Sequence, residues 1–315
     1  MVSGKLCLGL KQVTNNDKLY VVTSIFNPQE YQSRYRLYNN FADYIKQFEN
    51  VELWTVELIF EGQNFVVTQS DCPQHIQLKT DEILWYKENL LNIGIQHLPV
   101  EAKYIAWIDA DIVFENPNWS VNTIAALDQY PFVQMFEEAL DLGPDGEVVG
   151  RDKSFIYKWL NGNENPKKRG RSGLAWAATR DALDCVGGLI DWGIVGSGDW
   201  FMAFSLTEQV TDSSLNRKSG GFSGQAIQAW ADLCKKCVAG NVGYVTGSIK
   251  HNWHGKKSNR GYNWRWKILS ENKFNPIEDL GYKENGLIKL KSHKPQLLED
   301  IQQYFQSRDE DDTEK

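Results

Sequence analysis

Apolar residues along this chain follow two periodicities, and the two alternate. Leu19 to Ile25 is an unbroken run rich in β-branched residues, closed by Asn27-Pro28, which predicts a strand buried on both faces and ending in a loop. From Glu30 to Phe48 the apolar positions 31, 35, 38, 41, 42, 45 and 48 repeat at helical spacing. Val51 to Phe60 and Phe65 to Thr68 predict further strands, and Asp81 to His97 predicts an amphipathic helix stopped before Pro99. Tyr104 to Ile108 is another uninterrupted apolar strand. Such alternation predicts an α/β layer around a mostly parallel sheet. Ligands of such sheets bind beyond the carboxyl ends of the strands.

Beyond Phe114 the pattern loosens. Pro131 to Phe136, Leu174 to Ala178 and Val242 to Val245 predict strands. Helices are expected from Arg180 to Gly187-Gly188, from near Asp199, over Gly224 to Cys237, and over Pro295 to Phe305. The polar stretch from Asn161 to Ser172 has the composition of a lid or acceptor loop. No repeat or linker interrupts the chain, so residues 1–294 are expected to form one domain. Residues 295–315 would be a helix on the outside and a charged tail that frays from Arg308.

Composition narrows the function classes. A net charge of −7 argues against a protein that coats nucleic acid, although basic runs stand at Lys167-Lys168-Arg169-Gly170-Arg171 and from Lys250 to Lys267. Five cysteines, an odd number, do not make a disulfide framework. Cys234-x-x-Cys237 lacks the partners of a zinc site, so two reduced thiols on a helix are expected there. The apolar patch Leu6 to Leu10 is too short for a signal peptide or a membrane span, which predicts a soluble, cytoplasmic protein. Trp is abundant at twelve residues, and core packing is the default for each.

The segment with most chemistry is Trp107-Ile108-Asp109-Ala110-Asp111. Carboxylates at i and i+2 in an extended chain share a side, and here they stand where an apolar strand runs out. Two like charges held together there call for a cation, and hard oxygen ligands suit Mg2+ or Mn2+ shared with substrate phosphates.

Lys87-Glu88-Asn89, Ile93-Gly94 and Ala106-Trp107-Ile108-Asp109-Ala110-Asp111 together resemble the nucleotide-sugar half of GT-A glycosyltransferases, of the family 2 type. Gly173-Leu174-Ala175-Trp176, Arg180, Gly187-Gly188-Leu189-Ile190-Asp191 and Gly198-Asp199-Trp200 resemble the acceptor half. The resemblance spans roughly residues 19 to 255. It implies a donor half over about 19–115 and an acceptor half over about 116–270. Where the family often has Glu-Asp, this chain has Gly198-Asp199.

The resemblance implies a metal-dependent transfer of a sugar from a nucleoside diphosphate, a UDP-sugar for preference, to an acceptor hydroxyl. Asp109, Asp111 and a late His would hold Mn2+ or Mg2+. His251-x-x-His254 offers two candidates, and His254 is favoured because Gly255 lets the chain turn close to a phosphate. Lys87 and Asn89 would hold the donor, with Lys257 and Arg260 closing over the diphosphate. Thr23, Phe26 and Asp71 would meet the base or ribose. Asp199 would be the general base of an inverting reaction. Trp176, Trp192 and Trp200 are candidates to stack on an acceptor sugar. The acceptor would be a glycan or other hydroxyl compound, with nucleic acid a minority case. The competing functions are nucleotidyl transfer and an inactive relative that binds glycans or serves as a scaffold.

Overall fold

Leu19–Phe26 forms β1, buried almost throughout as its apolar sequence demands, well inside a seven-stranded sheet. The computed structural model describes residues 17–162, 169–210 and 224–312. After β1 come α1 (Gln32–Ile45), β2 (Val51–Phe60), β3 (His75–Thr80), α2 (Lys87–His97) and β4 (Tyr104–Ile108). The chain continues through β5 (Ile112–Phe114), α3 (Trp119–Leu127), β6 (Phe132–Gln134), β7 (Glu138–Leu142) and β8 (Val148–Lys153). Next are α4 (Phe155–Leu160), β9 (Ala175–Thr179), α5 (Arg180–Val186), α6 (Gly198–Leu206), α7 (Gly224–Cys237), β10 (Val242–Tyr244) and β11 (Ser248–His251). Last come α8 (Trp266–Glu271), α9 (Pro276–Asp279), the hairpin of β12 (Leu280–Tyr282) and β13 (Ile288–Leu290), and α10 (Pro295–Gln306).

The large sheet has the order β10-β6-β9-β4-β1-β2-β3. It is parallel except for β9, which runs against β4 and β6, so the architecture is mixed α/β with a mostly parallel sheet, as expected. β1 and β4 therefore deliver the chain to one edge, and α1 and α2 start their return from that edge. Because β9 is antiparallel, its beginning lies there too, with Ala175 opposite Ile108. A second sheet, β5-β11-β7-β8, crosses the same end. Its register sets His251 of β11 against Ile112 of β5 on one side and Asp141 of β7 on the other.

Several expectations give way. Phe65 to Thr68 is a loop, not a strand, because its backbone N–H groups are taken by a buried carboxylate. Glu57 accepts from Val66, Val67 and Thr68 N–H at 2.8, 3.2 and 2.9 Å. The edge strand is β3 instead. α2 begins at Lys87 rather than Asp81. Cys237 is bonded to Cys185, tying α7 to α5 in place of the expected thiols, while Cys234 stays free and buried. Residues 308–312 do not fray: Arg308 and Glu310 are 4% and 2% exposed. Leu6 to Leu10, Lys167, Lys168 and the middle half of the lid-like stretch lie outside the described residues. No described helix is long and apolar enough to cross a membrane.

Candidate active site

A cavity of about 340 Å3 opens at the carboxyl edge of the large sheet. The β4–β5 turn, the starts of α1, α2 and α6, the approach to β9, the end of β11 and the C-terminal segment all contribute to it. On one side Asp111, His251 and His254 converge, each offering a ligand atom within 4.8 Å of the others. Asp111 Oδ2 stands 3.0 Å from His254 Nε2 and 3.6 Å from His251 Nε2. Asp111 Oδ1 is buried without a hydrogen-bond partner. The Asn252 N–H donates to the Asp111 carbonyl at 2.8 Å, pinning the two segments together.

His251 is oriented from behind. Its Nδ1 lies 2.9 Å from Asp141 Oδ1, which leaves Nε2 directed at Asp111. Asp141 also accepts from Arg171 at 2.5 Å and Lys257 at 2.7 Å. Burial would raise the Asp141 carboxyl, but His251, Arg171 and Lys257 outweigh it and hold it well below the usual range. Burial likewise opposes charge on Asp111 and His251, yet each sustains the other: Asp111 sits well below its ordinary value and His251 above its own. One carboxylate, two imidazoles and an unsatisfied carboxylate oxygen fit a divalent metal. The two nitrogens favour a transition ion over Mg2+, which prefers oxygen.

Asp109 faces elsewhere. The chain turns at Asp109–Asp111 instead of staying extended, and although both carboxylates line the cavity, Asp109 is engaged by Lys87 while Asp111 meets the two histidines. Asp109 is 2.5 Å from Lys87 Nζ. Burial opposes the Lys87 charge, but Asp109, Glu88 and Asp199 hold its pKa above the ordinary lysine value. Asp199, in the first turn of α6, accepts from the Ser172 hydroxyl at 3.1 Å. Glu88 lines the same part of the cavity and is 5% exposed.

The wall that continues from His254 is cationic. Arg260 Nη2 lies 2.9 Å from His254 Nε2, and Arg265 is bonded to the Ser197 hydroxyl and, at 3.2 Å, to that of Tyr304. Both guanidiniums are nine-tenths buried, and the Nε of each is buried with no acceptor. Among the described residues neither has a carboxylate within ion-pair distance. A buried charge without a counter-ion is costly, so both are poised for an anionic ligand. The C-terminal segment closes this wall. Glu310 receives Arg34 at 2.5 and 2.8 Å and Arg308 at 2.5 Å, and stands 3.7 Å from His254 Nδ1. A Cβ on Gly255 would fall 2.6 Å from the Asp309 carbonyl oxygen, so this glycine makes room for the C-terminal segment.

Of the residues singled out in the sequence, Phe26, Lys87, Asp109, Asp111, Asp199, His254 and Arg260 all line the cavity. The others do not. Thr23 is buried, with its hydroxyl donating to the Ile108 carbonyl at 2.8 Å. Asn89 points away from the cavity, donating to Asp191 and the Gly286 carbonyl and accepting from the Ile288 N–H. Asp71 lies in a turn before β3, and Lys257 is engaged by Asp141. Trp176 is 1% exposed, with its indole N–H on the Ser172 carbonyl at 2.7 Å. Trp192 and Trp200 are half-buried against Phe201.

The structure adds His251, Asp141, Glu88, Arg34, Arg265, Arg308 and Glu310 to the surroundings of the cavity. Two of these carried a sequence signal: His251 as one of the candidates in His-x-x-His, and Glu88 within Lys87-Glu88-Asn89.

No family model matches the sequence, and neither does any curated protein. Among solved structures, the chain is similar to the catalytic domain of Drosophila β1,4-galactosyltransferase 7 in complex with xylobiose. Identity is 13%, coverage is 89% of this chain and 98% of that one, and the TM-score is 0.41. It is also similar to the mannosyltransferase PcManGT from Pyrobaculum calidifontis in complex with GDP-Man and Mn2+ (13% identity, 94% and 74% coverage, TM-score 0.45). A third similar structure is 4-diphosphocytidyl-2C-methyl-D-erythritol synthase from Anaerococcus prevotii (8% identity, 73% and 87% coverage, TM-score 0.37). Likenesses this distant decide nothing about activity.

Proposed function

We propose that this chain is a GT-A glycosyltransferase that moves a sugar from a nucleoside diphosphate, UDP for preference, to an acceptor hydroxyl with inversion. The observation that carries this reading is the convergence, in one cavity, of the Asp111–His251–His254 cluster, unpaired buried guanidiniums and the Asp199 carboxylate. A divalent ion held by that cluster, Mn2+ in this proposal, would supply positive charge to the diphosphate oxygens. Arg260 and Arg265 neutralise the charge that develops on the leaving diphosphate. Lys87 holds Asp109 in place at the cavity floor. Asp199 takes the proton of the acceptor hydroxyl as its oxygen bonds to the anomeric carbon. The bond from that carbon to the diphosphate oxygen breaks, and its electron pair leaves with the nucleoside diphosphate. The cytoplasmic setting expected from the sequence is left out of this proposal, because the Cys185–Cys237 bridge is a bond that reducing compartments rarely keep.

The test is calorimetric titration of UDP with and without Mn2+, followed by a screen of UDP-sugars for slow hydrolysis. We expect Mn2+ to tighten UDP binding at least about tenfold, a coupling of about 1.4 kcal/mol. Asp111→Asn should lose that gain and the hydrolysis while melting as the wild type does. Equal UDP binding with and without Mn2+ in the wild type would defeat the reading. Release of UMP instead of UDP would indicate nucleotidyl transfer, and a scaffold would bind no UDP.

A further inference from the structure

Glu88 is a buried acid that the mechanism above leaves unused. It sits in the first turn of α2, 5% exposed, on the cavity floor. Among the described residues its carboxyl has no hydrogen-bond partner other than its own backbone N–H. A Cβ built on Gly198 would fall 2.8 Å from the Glu88 carboxyl carbon, so the carboxyl lies against the residue that precedes Asp199. Glu88 and Asp199 therefore flank one point of the floor from two helices, and a narrow recess between them reaches Trp176 and Met202. The charged groups that face Glu88 are Lys87 on its own helix, Asp199 at the head of α6 and Asp109 at the end of β4.

Two carboxylates so placed do not both ionise readily. Burial pushes Glu88 up, Lys87 pulls it down and Asp199 pushes it up again, to about 7. Asp199 must be ionised to act as a base, so the shared site leaves the proton on Glu88. A neutral carboxyl with an unused O–H is a hydrogen-bond donor, and a sugar offers hydroxyl oxygens in adjacent pairs. With Glu88 neutral and Asp109 paired to Lys87, the ionised Asp199 leaves this floor with a net negative charge, which disfavours phosphate or carboxylate on the acceptor.

Resting on the glycosyl-transfer reading of this cavity, we propose that Glu88 is an acceptor-binding residue. Its carboxyl O–H donates to the hydroxyl beside the one that Asp199 deprotonates, and the acceptor is an uncharged sugar with two adjacent hydroxyls. In the reactive form Glu88 carries its proton and does not transfer it, and the proton of the attacking hydroxyl goes to Asp199.

The experiment compares the full-length wild type, Glu88→Gln and Glu88→Ala. It measures UDP affinity with Mn2+, and transfer from the donor found by the hydrolysis screen to a panel of methyl mono- and disaccharide glycosides, over pH 5–9 (about the range in which such groups titrate). Glu88→Ala should lose about tenfold in kcat/KM for transfer, the worth of one hydrogen bond, with UDP affinity within about twofold of wild type. The wild-type rate should fall as pH rises through about 7, because the carboxyl then loses the proton it donates. The Gln amide donates at every pH, so Glu88→Gln should retain transfer and flatten that fall. The inference is overturned if Glu88→Gln is as impaired as Glu88→Ala, or if the alkaline fall persists in Glu88→Gln. It is also overturned if no glycoside accepts sugar from a wild type that hydrolyses its donor. Loss of Mn2+-dependent UDP binding in the wild type is a different failure, that of the donor site itself.

Discussion

Asp141→Asn isolates the support behind the metal cluster without touching a ligand. The Asp141 carboxylate is 8% exposed and fully engaged: His251 Nδ1 at 2.9 Å, Arg171 at 2.5 Å and Lys257 at 2.7 Å. Asn keeps the shape, and its carbonyl oxygen can still accept from His251. The amide NH2, however, then faces the donors of Arg171 or Lys257, and two cations lose their counter-charge. Loss of a partner that orients a metal-binding His costs about 10–100-fold in metal affinity, or about 1.4–2.7 kcal/mol. The two stranded cations place this site in the upper half of that range.

The assay is Mn2+ titration at saturating UDP, followed by calorimetry or by the paramagnetic resonance of free Mn2+. Melting without metal serves to check the fold. The pH dependence gives a second readout. His251 must be neutral to bind metal, and its pKa lies above the ordinary value, so Mn2+ affinity falls as pH drops through that raised value. Removing the Asp141 charge withdraws one cause of the elevation, so the fall should move to lower pH. Mn2+ affinity within about threefold of wild type, with an unmoved pH dependence, would refute the support role.

Asp199→Asn should leave Mn2+-dependent UDP affinity unchanged and lower transfer by about 100-fold or more, the usual worth of a positioned base. Unchanged turnover would mean a retaining course or another base. Glu310→Gln should destabilise the fold by about 3–5 kcal/mol, because Arg34 and Arg308 would lose a buried counter-charge. Thermal or urea unfolding measures it, and an unshifted midpoint would show that the C-terminal segment does not brace the cavity.

Local pattern was enough for the α/β alternation, for the strands ending at Phe26 and Ile108, and for placing Lys87 and Asp111 at the ligand edge. Period-2 and period-3.6 burial are set by near neighbours, and parallel strands must share one carboxyl edge. Partnership was not legible. His251 meets Asp141 across 110 positions of chain, through the pairing of β11 with β7, and no local signal encodes that register. Asp109 and Asp111 look like one motif, but a turn gives one to Lys87 and the other to two histidines. For Trp176 the sequence left a sugar platform open beside the default of core packing, and the antiparallel β9 buries it beside Trp107. The charged sequence after α10 reads as a loose tail, yet Glu310 is buried because Arg34, Arg308 and His254 wait for it. The sequence alone decided which residues stand at the edge of the sheet. Only the tertiary structure decided which of them face one another, since charges far apart in sequence pair through the packing of whole elements.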